Sequence, residues 1–400
     1  MTAGLGRALR RSVALAAIPG FLVVVIAHIA LRGQPWLHEW YWAFDQYQFV
    51  VIFLAPLVAG IAAWDGARWS RAMPYLTPTG HLGNGCVAAT VPSMLVGWGA
   101  YVAGLLGAIA LATLSTAPGI PNLSIVATSL PPLAMLAMAA AAGSTVGIVT
   151  RRAISGAAVA VVLFLLLLVG YTTLPATLLD VGGSTGSLLG LRPRSSVQLL
   201  QTALYAAVAV ASFGLVAKRE DPWAPVRLTS FALILPIFPT AVLVGIGGDA
   251  FVHRHTDVVC QGSDPEICLN GGYSFLEEPT RQAVAAPFAA SQAAGFQPPK
   301  RLTQDLSAVT NTDTGYLGTD APDPVTVAGF LTFAVIPPEC DIGKDRQTYE
   351  DYLDVDYWAK SLVGIAEYSP IVSPAVADGD TPKAREHIRA IAERLSECGP

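Results

Sequence analysis

The chain has 400 residues, of which 53% are hydrophobic and only 13% are charged, and its mean hydropathy is +0.51. Soluble domains carry about 25% charged residues, so we expect lipid to be the solvent for much of this chain. Residues 1–248 contain 13 Lys and Arg against 6 Asp and Glu, whereas residues 249–400 contain 11 against 23. The acidic second region argues against nucleic acid as a partner, because phosphate binding needs clustered basic residues.

Seven apolar stretches approach or exceed the length of about 20 residues that a helix needs to cross the hydrocarbon core. None of them contains Asp, Glu, Lys or Arg. We therefore predict an α-helical polytopic membrane protein with about seven transmembrane helices. The predicted spans are 13–31, 47–64, 87–114, 123–150, 153–174, 199–217 and 228–247.

The distribution of basic residues between the spans predicts the orientation of the chain. If the loops alternate between the two sides, ten Lys and Arg lie on one side and three on the other. Because cytoplasmic loops carry the excess of Lys and Arg, we expect a multi-pass cell-membrane protein with a cytoplasmic N-terminus and an extracytoplasmic C-terminal region. The stretch 13–31 could instead be a signal peptide, but its apolar run is longer than the usual hydrophobic region of one and lacks a clear A-x-A cleavage site.

Two of the predicted outer segments are unusual. Aromatic residues crowd the first, which is typical of an interfacial aromatic belt, with a substrate-stacking site as the alternative. These aromatic residues are Trp36, Trp40, Tyr41, Trp42 and Tyr47. The second, 175–197, has leucines at 178, 179, 188 and 189 and is too apolar for a solvated loop. A re-entrant hairpin would explain it, since non-helical backbone at membrane depth must be buried in protein.

The segment 65–85 is the longest predicted cytoplasmic loop. Its first residue, an aspartate, is expected to cap a short amphipathic helix with apolar residues on one side and arginines on another. Such a helix would suit docking of a cytoplasmic partner. The candidate residues are Asp65, Arg68, Trp69, Arg71 and Met73.

Residues 249–400 predict a small α+β domain outside the membrane. Apolar residues recur at helical spacing in 275–294 and 382–398, whereas 325–336 is rich in β-branched and aromatic residues and predicts a buried strand. The acidic run 350–356 could hold calcium but lacks the EF-hand glycine and terminal glutamate. We interpret this run as a solvated helix face.

Four of the five cysteines lie in this acidic region: Cys260, Cys268, Cys340 and Cys398. An even number of cysteines in an exported domain indicates disulfides, and four cysteines allow three pairings. We favour Cys260–Cys268, which is local, and Cys340–Cys398, which would staple the terminal helix. A four-cysteine zinc site is the alternative, but seven residues between the first two cysteines is not finger spacing.

Motifs for catalysis are weak. The chain has no G-x-x-x-x-G-K-[ST] motif for nucleotide phosphates and no H-E-x-x-H motif for zinc. The predicted spans also lack the Asp and Glu relays of many coupled carriers. We therefore expect no enzyme, no cofactor and no metal in this chain, and if it transports, another subunit supplies the energy.

The first six predicted spans, with both ends cytoplasmic, resemble the permease subunits of ABC-2-type transporters. In that class the loop after the second span forms a coupling helix on the ATPase, and here this position is WDGARWSRAM at 64–73. The class has a re-entrant hairpin between its fifth and sixth spans, where 175–197 falls. The segment VCQGSDPEICL at 259–269, with a later cysteine near the C-terminus, is similar to exported tails of actinobacterial members.

This resemblance implies a six-helix transmembrane domain at 1–220. The predicted seventh helix at 221–248 and the predicted extracytoplasmic domain at 249–400 depart from the usual class. The resemblance further implies an ABC-type ATPase subunit as partner, a homodimer or paired permease in the lipid bilayer, and export of an unidentified substrate. Two alternatives stay open. One is a non-transporting membrane anchor for an outer sensor or assembly domain, and the other is an intramembrane or outer-face enzyme.

Overall fold

The structure is a computed structural model, and contact clustering divides it into two compact units, residues 1–253 and 254–400, called here the membrane unit and the C-terminal unit. Within 72–76, 82–88 and 214–217 it describes the backbone alone. The described residues are 12–33, 35–76, 82–115, 121–175, 178–179, 182–183, 186–217, 236–237, 239–245, 250–309, 313–336, 340, 346–367 and 370–395.

The membrane unit is built almost entirely from helices. They are α1 (Val13–Ala16), α2 (Ile18–Leu31), α3 (Trp40–Gln48), α4 (Val51–Leu76), α5 (Leu82–Leu114), α6 (Leu123–Ala127), α7 (Leu130–Thr150), α8 (Ser155–Thr173) and α9 (Ser195–Ala217). Two short strands, β1 (Leu191–Pro193) and β2 (Phe251–His253), pair antiparallel with Arg192 opposite Val252.

Among the residues that the structure describes, five helical segments are long and apolar enough to cross a membrane, which is consistent with a multi-pass membrane protein. They are Trp40–Arg71, Ala89–Leu114, Leu123–Thr150, Ser155–Thr173 and Ser195–Phe213. The first predicted span contains the shorter apolar helix α2, with 14 residues. Of the seventh, only residues 236–237 and 239–245 are described, and these are helical. A count of seven spans therefore stays a prediction.

Helix α4 packs closely against α7 through small side chains. A Cβ atom added at Gly143 would lie 2.2 Å from the Ala59 carbonyl oxygen, and one at Gly147 would lie 2.0 Å from that of Ala63. These four small residues, spaced four apart on each helix, let the two backbones approach, as small residues do at interfaces between membrane helices. Going from the first pair to the second, the residue number increases by four on both helices, so α4 and α7 run parallel.

In the residues that the structure describes, the C-terminal unit combines a four-stranded sheet with four α-helices of 12 to 17 residues. The strand order is β3-β4-β5-β6, with β3 and β4 antiparallel and the other pairs parallel. The strands are β3 (Val258–Gln261), β4 (Glu266–Asn270), β5 (Arg301–Thr303) and β6 (Thr314–Tyr316). The helices are α10 (Glu277–Ala293), α11 (Pro324–Val335), α12 (Arg346–Leu362) and α13 (Pro382–Leu395).

Two helices of this unit are as the sequence predicts, and the predicted strand is wrong. α10 and α13 lie within 275–294 and 382–398, whereas 325–336 forms helix α11. The cause is a strong helix start: the Asp323 side chain accepts a hydrogen bond from the Thr326 backbone N–H at 2.7 Å, and Pro324 occupies the first helical position. Val327 and Leu331, four residues apart, are both buried.

The interpretation of the acidic run as a solvated face is wrong at two positions of α12. Asp351 and Asp354 are only 4% and 6% exposed. Asp351 lies 2.7 Å from Arg394 Nη2, and Asp354 lies 2.8 Å from His387 Nε2. Both partners lie on α13, so these carboxylates join the two helices.

Candidate functional site

Asp65 does not begin a helix, contrary to the prediction for the coupling segment. It lies inside the 26-residue helix α4 and is 1% exposed. The sequence from Asp65 to Arg71 contains no helix breaker stronger than Gly66, and the helix continues to Leu76. Residues 65–71 are therefore an extension of a membrane helix, not a separate helix in a loop.

The Asp65 carboxylate accepts hydrogen bonds from the beginning of another helix. The Ser12 hydroxyl donates to Oδ2 at 2.5 Å, and the Val13 backbone N–H lies 3.2 Å from Oδ2 and 3.3 Å from Oδ1. Ser12 is also the N-cap of α1, accepting from Ala14 N at 3.0 Å. A carboxylate at a helix N-terminus satisfies unpaired N–H groups. Asp65 therefore fixes the start of α1 to α4.

The other candidate coupling residues extend along the end of α4. Arg68 Nη1 lies 3.6 Å from Asp65 Oδ1, yet its side chain is half exposed. Arg71 is exposed and donates from Nε to the Ala67 carbonyl oxygen at 3.1 Å, while Trp69 is partly buried. The Met73 side chain lies outside the described residues. The structure thus brings two exposed cations and one aromatic ring to this end of the helix.

A second polar feature lies at the beginning of the same helical stretch, and sequence reasoning missed it. All nine residues of α3 are buried, and Trp36, just before it, is 3% exposed. The predicted aromatic belt is therefore wrong, because these rings pack inside the protein. We call the buried residues Glu39, Asp45, Gln46 and Gln48 the buried polar layer.

Hydrogen bonds tie the buried polar layer to distant parts of the chain. The Gly183 backbone N–H donates to the carbonyl oxygen and to Oδ2 of Asp45, each at 3.0 Å. Gln48 Nε2 donates to the carbonyl oxygen and hydroxyl of Thr128 at 3.0 and 2.8 Å. Arg32 donates to Gln46 Oε1, with its guanidinium 4.2 Å from the centre of a phenyl ring of Phe49. Polar groups buried in this way rigidify the helix that carries them.

The apolar segment 175–197 packs against this layer. Leu188 and Leu189 are buried, as the sequence predicts, and the described residues between 178 and 190 are not helical. Gly182 has a φ of 73°, and a Cβ atom there would lie 2.1 Å from the Asp45 carbonyl oxygen. Glycine is required at such a close approach. Whether the segment re-enters the membrane stays a prediction.

The predicted local disulfide is confirmed. Cys260 and Cys268 occupy directly opposite positions of β3 and β4 and are joined by a disulfide, so a zinc site that uses all four cysteines is wrong. Cys340 is buried with its Sγ 3.5 Å from the Leu395 carbonyl oxygen, near the end of α13. Cys398 lies outside the described residues, so the second pairing stays a prediction.

The chain matches no family model, no curated protein and no solved structure. The resemblance to ABC-2 permeases therefore depends on the residues and the span pattern alone. What the geometry adds is one candidate span, Trp40–Arg71, in which α3 with most of the buried polar layer is followed after two residues by α4 with the exposed Arg68 and Arg71.

Proposed function

We propose that this chain is the permease subunit of an ATP-binding-cassette transporter and exports an unidentified substrate with the help of a separate ATPase subunit. The observation that carries the proposal is that α3 and α4 belong to one candidate span, Trp40–Arg71, with only residues 49 and 50 between them. A partner that docks on Arg68 and Arg71 would act on α4, which follows directly on the helix that carries most of the buried polar layer.

The packing of α4 supports such a coupling. Its close contacts with α7 leave no space for independent sliding, because carbonyl oxygens of α4 occupy the positions where Cβ atoms would stand at Gly143 and Gly147. Closely packed elements move as rigid bodies in conformational transitions. A displacement at the exposed end of α4 would therefore carry α7 with it.

The proposal includes a cytoplasmic N-terminus and an extracytoplasmic C-terminal unit, in a homodimer or a paired permease. Two exposed positions test the orientation. In a background without native thiols, Arg71→Cys should resist a membrane-impermeant maleimide in intact cells, whereas Val325→Cys should react. The opposite result at either position would overturn the orientation.

The coupling surface is tested by the double substitution Trp69→Ala and Arg71→Ala. Aromatic and arginine anchors each contribute on the order of 2 kcal/mol to an interface, so co-purification of the ATPase should fall more than about tenfold. The matched control is Phe53→Ala with Arg192→Ala, an exposed aromatic residue and an exposed arginine away from this end. The control should retain the ATPase. Equal retention by both variants would show that the end of α4 is not the coupling site.

A membrane anchor for an outer sensor or assembly domain is the second candidate. The observation that favours it is the separate compact C-terminal unit with its own sheet and disulfide, and with the contacts of Asp354 with His387 and of Asp351 with Arg394 between two helices. Affinity purification from cross-linked cells separates the two functions. Recovery of a subunit with vanadate-sensitive ATPase activity supports transport, and recovery without any ATPase supports the anchor.

A further inference from the structure

Four arginines lie at one end of the membrane unit although they come from two separate parts of the chain. α4 and α7 run parallel, with Ala63 against Gly147. At a rise of about 1.5 Å per residue, Arg68 lies about 7.5 Å beyond Ala63 and Arg151 about 6 Å beyond Gly147. The two arginines therefore lie at nearly the same level along the parallel axes of α4 and α7.

The beginning of α8 lies near this same end of α4. Gly156 packs against Gly60 and Trp64, and Gly60 also faces Ala160, so α8 runs antiparallel to α4. The turn between α7 and α8 consequently projects beyond Trp64 toward Arg68. We call Arg68, Arg71, Arg151 and Arg152 the arginine end; all four are exposed.

The arginine end carries a net positive charge. Among the carboxylates that the structure describes in the membrane unit, only Asp65 lies at this end, since Glu39 and Asp45 belong to the buried polar layer. Asp65 is itself hydrogen-bonded to Ser12 and Val13. This end of the membrane unit therefore carries four cations against one described carboxylate.

Large apolar side chains flank the exposed arginines of the turn. Val149 is 71% exposed and lies two residues before Arg151, and Ile154 is 75% exposed and lies two residues after Arg152. Such a combination is unfavourable in water but suits the boundary between phospholipid headgroups and acyl chains, where basic side chains reach phosphates and apolar ones contact hydrocarbon.

We propose that the arginine end binds the phosphates of anionic phospholipids, with Arg151 and Arg152 as its principal ligands and Val149 and Ile154 in contact with the acyl chains. Each arginine near an anionic headgroup contributes about a fivefold gain in affinity. This inference is independent of any ATPase, because it concerns the purified chain and lipid alone.

The test uses the full chain, purified and delipidated, and measures its binding of phosphatidylglycerol and of phosphatidylcholine by native mass spectrometry. The wild type should prefer phosphatidylglycerol. Arg151→Gln with Arg152→Gln should reduce that preference about 25-fold, since each arginine contributes about fivefold. The paired control, Arg192→Gln within β1 with Arg194→Gln just after it, should not change it. Arg151→Lys with Arg152→Lys should keep most of the preference, since the charge is retained.

Several outcomes would overturn the proposal. One is an equal preference in the wild type and in the Gln double variant, and another is an equal loss in the β1 control. Complete displacement of the lipid by millimolar inorganic phosphate would also overturn it, because the ligand would then be a free anion. If the Gln double variant fails to fold, Arg152→Gln alone should reduce the preference about fivefold, and an unchanged preference there refutes the assignment.

Discussion

The contact between α4 and α7 predicts a severe effect for a very small substitution, Gly147→Ala. The added methyl carbon would lie 2.0 Å from the Ala63 carbonyl oxygen, where ordinary contact begins near 3.4 Å. The helices would have to separate by about 1.4 Å, because a backbone carbonyl cannot rotate out of the way. Overpacking of this kind costs about 1–3 kcal/mol, and a backbone clash belongs at the upper end, about 3 kcal/mol.

A matched substitution separates this clash from any general effect of alanine. Gly107 lies inside α5, and a Cβ atom there would meet nothing within 4 Å. Gly107→Ala should leave the free energy of unfolding unchanged or raise it slightly, because alanine is the better helix former. Unfolding in mixed detergent micelles, followed by tryptophan fluorescence during SDS titration, measures both variants. If the two free energies agree within about 0.5 kcal/mol, close packing of α4 on α7 is refuted.

Three further predictions concern charged and thiol groups. The hydrogen bond from Arg385 lowers the pKa of Asp380, so this carboxylate stabilises the fold above its ordinary pKa and the contribution disappears as the pH falls through the lowered value. Asp380→Asn should lower the melting temperature at neutral pH. The fall in melting temperature between neutral and strongly acidic pH should be smaller in this variant than in the wild type, and an equal fall in both would contradict the prediction. Non-reducing peptide mapping should recover Cys340 linked to Cys398, and a free thiol at either position would reject that pairing. Asp65→Asn should speed amide hydrogen exchange at residues 12–16, and unchanged exchange would show that Asp65 does not fix α1.

The features that sequence predicts well are those determined locally. Long apolar runs predict membrane helices because the hydrocarbon core imposes a minimum length, and the described part of the chain contains five helices that are long and apolar enough. The Cys260–Cys268 disulfide is also local, since its two strands are joined by a four-residue turn. The strand prediction for 325–336 was wrong because it gave more weight to the β-branched residues than to the helix start at Asp323 and Pro324.

The features that sequence missed depend on partners far along the chain. Ser12 and Asp65 are 53 residues apart, and Asp45 and Gly183 are 138 apart. No periodic pattern within one segment indicates such pairs. The available hint was the polar residues 45, 46 and 48 among aromatic ones, a composition that suits a buried helix end better than a solvated loop.

The two carboxylates Asp45 and Asp65 limit how the membrane unit could move. Each accepts a hydrogen bond from a backbone N–H, of Gly183 and Val13 respectively. A side-chain donor could leave by rotating about its bonds, whereas a backbone donor leaves only if its whole segment moves. Because an unpaired buried carboxylate is costly, residues 12–13 and 182–183 should travel with Trp40–Arg71.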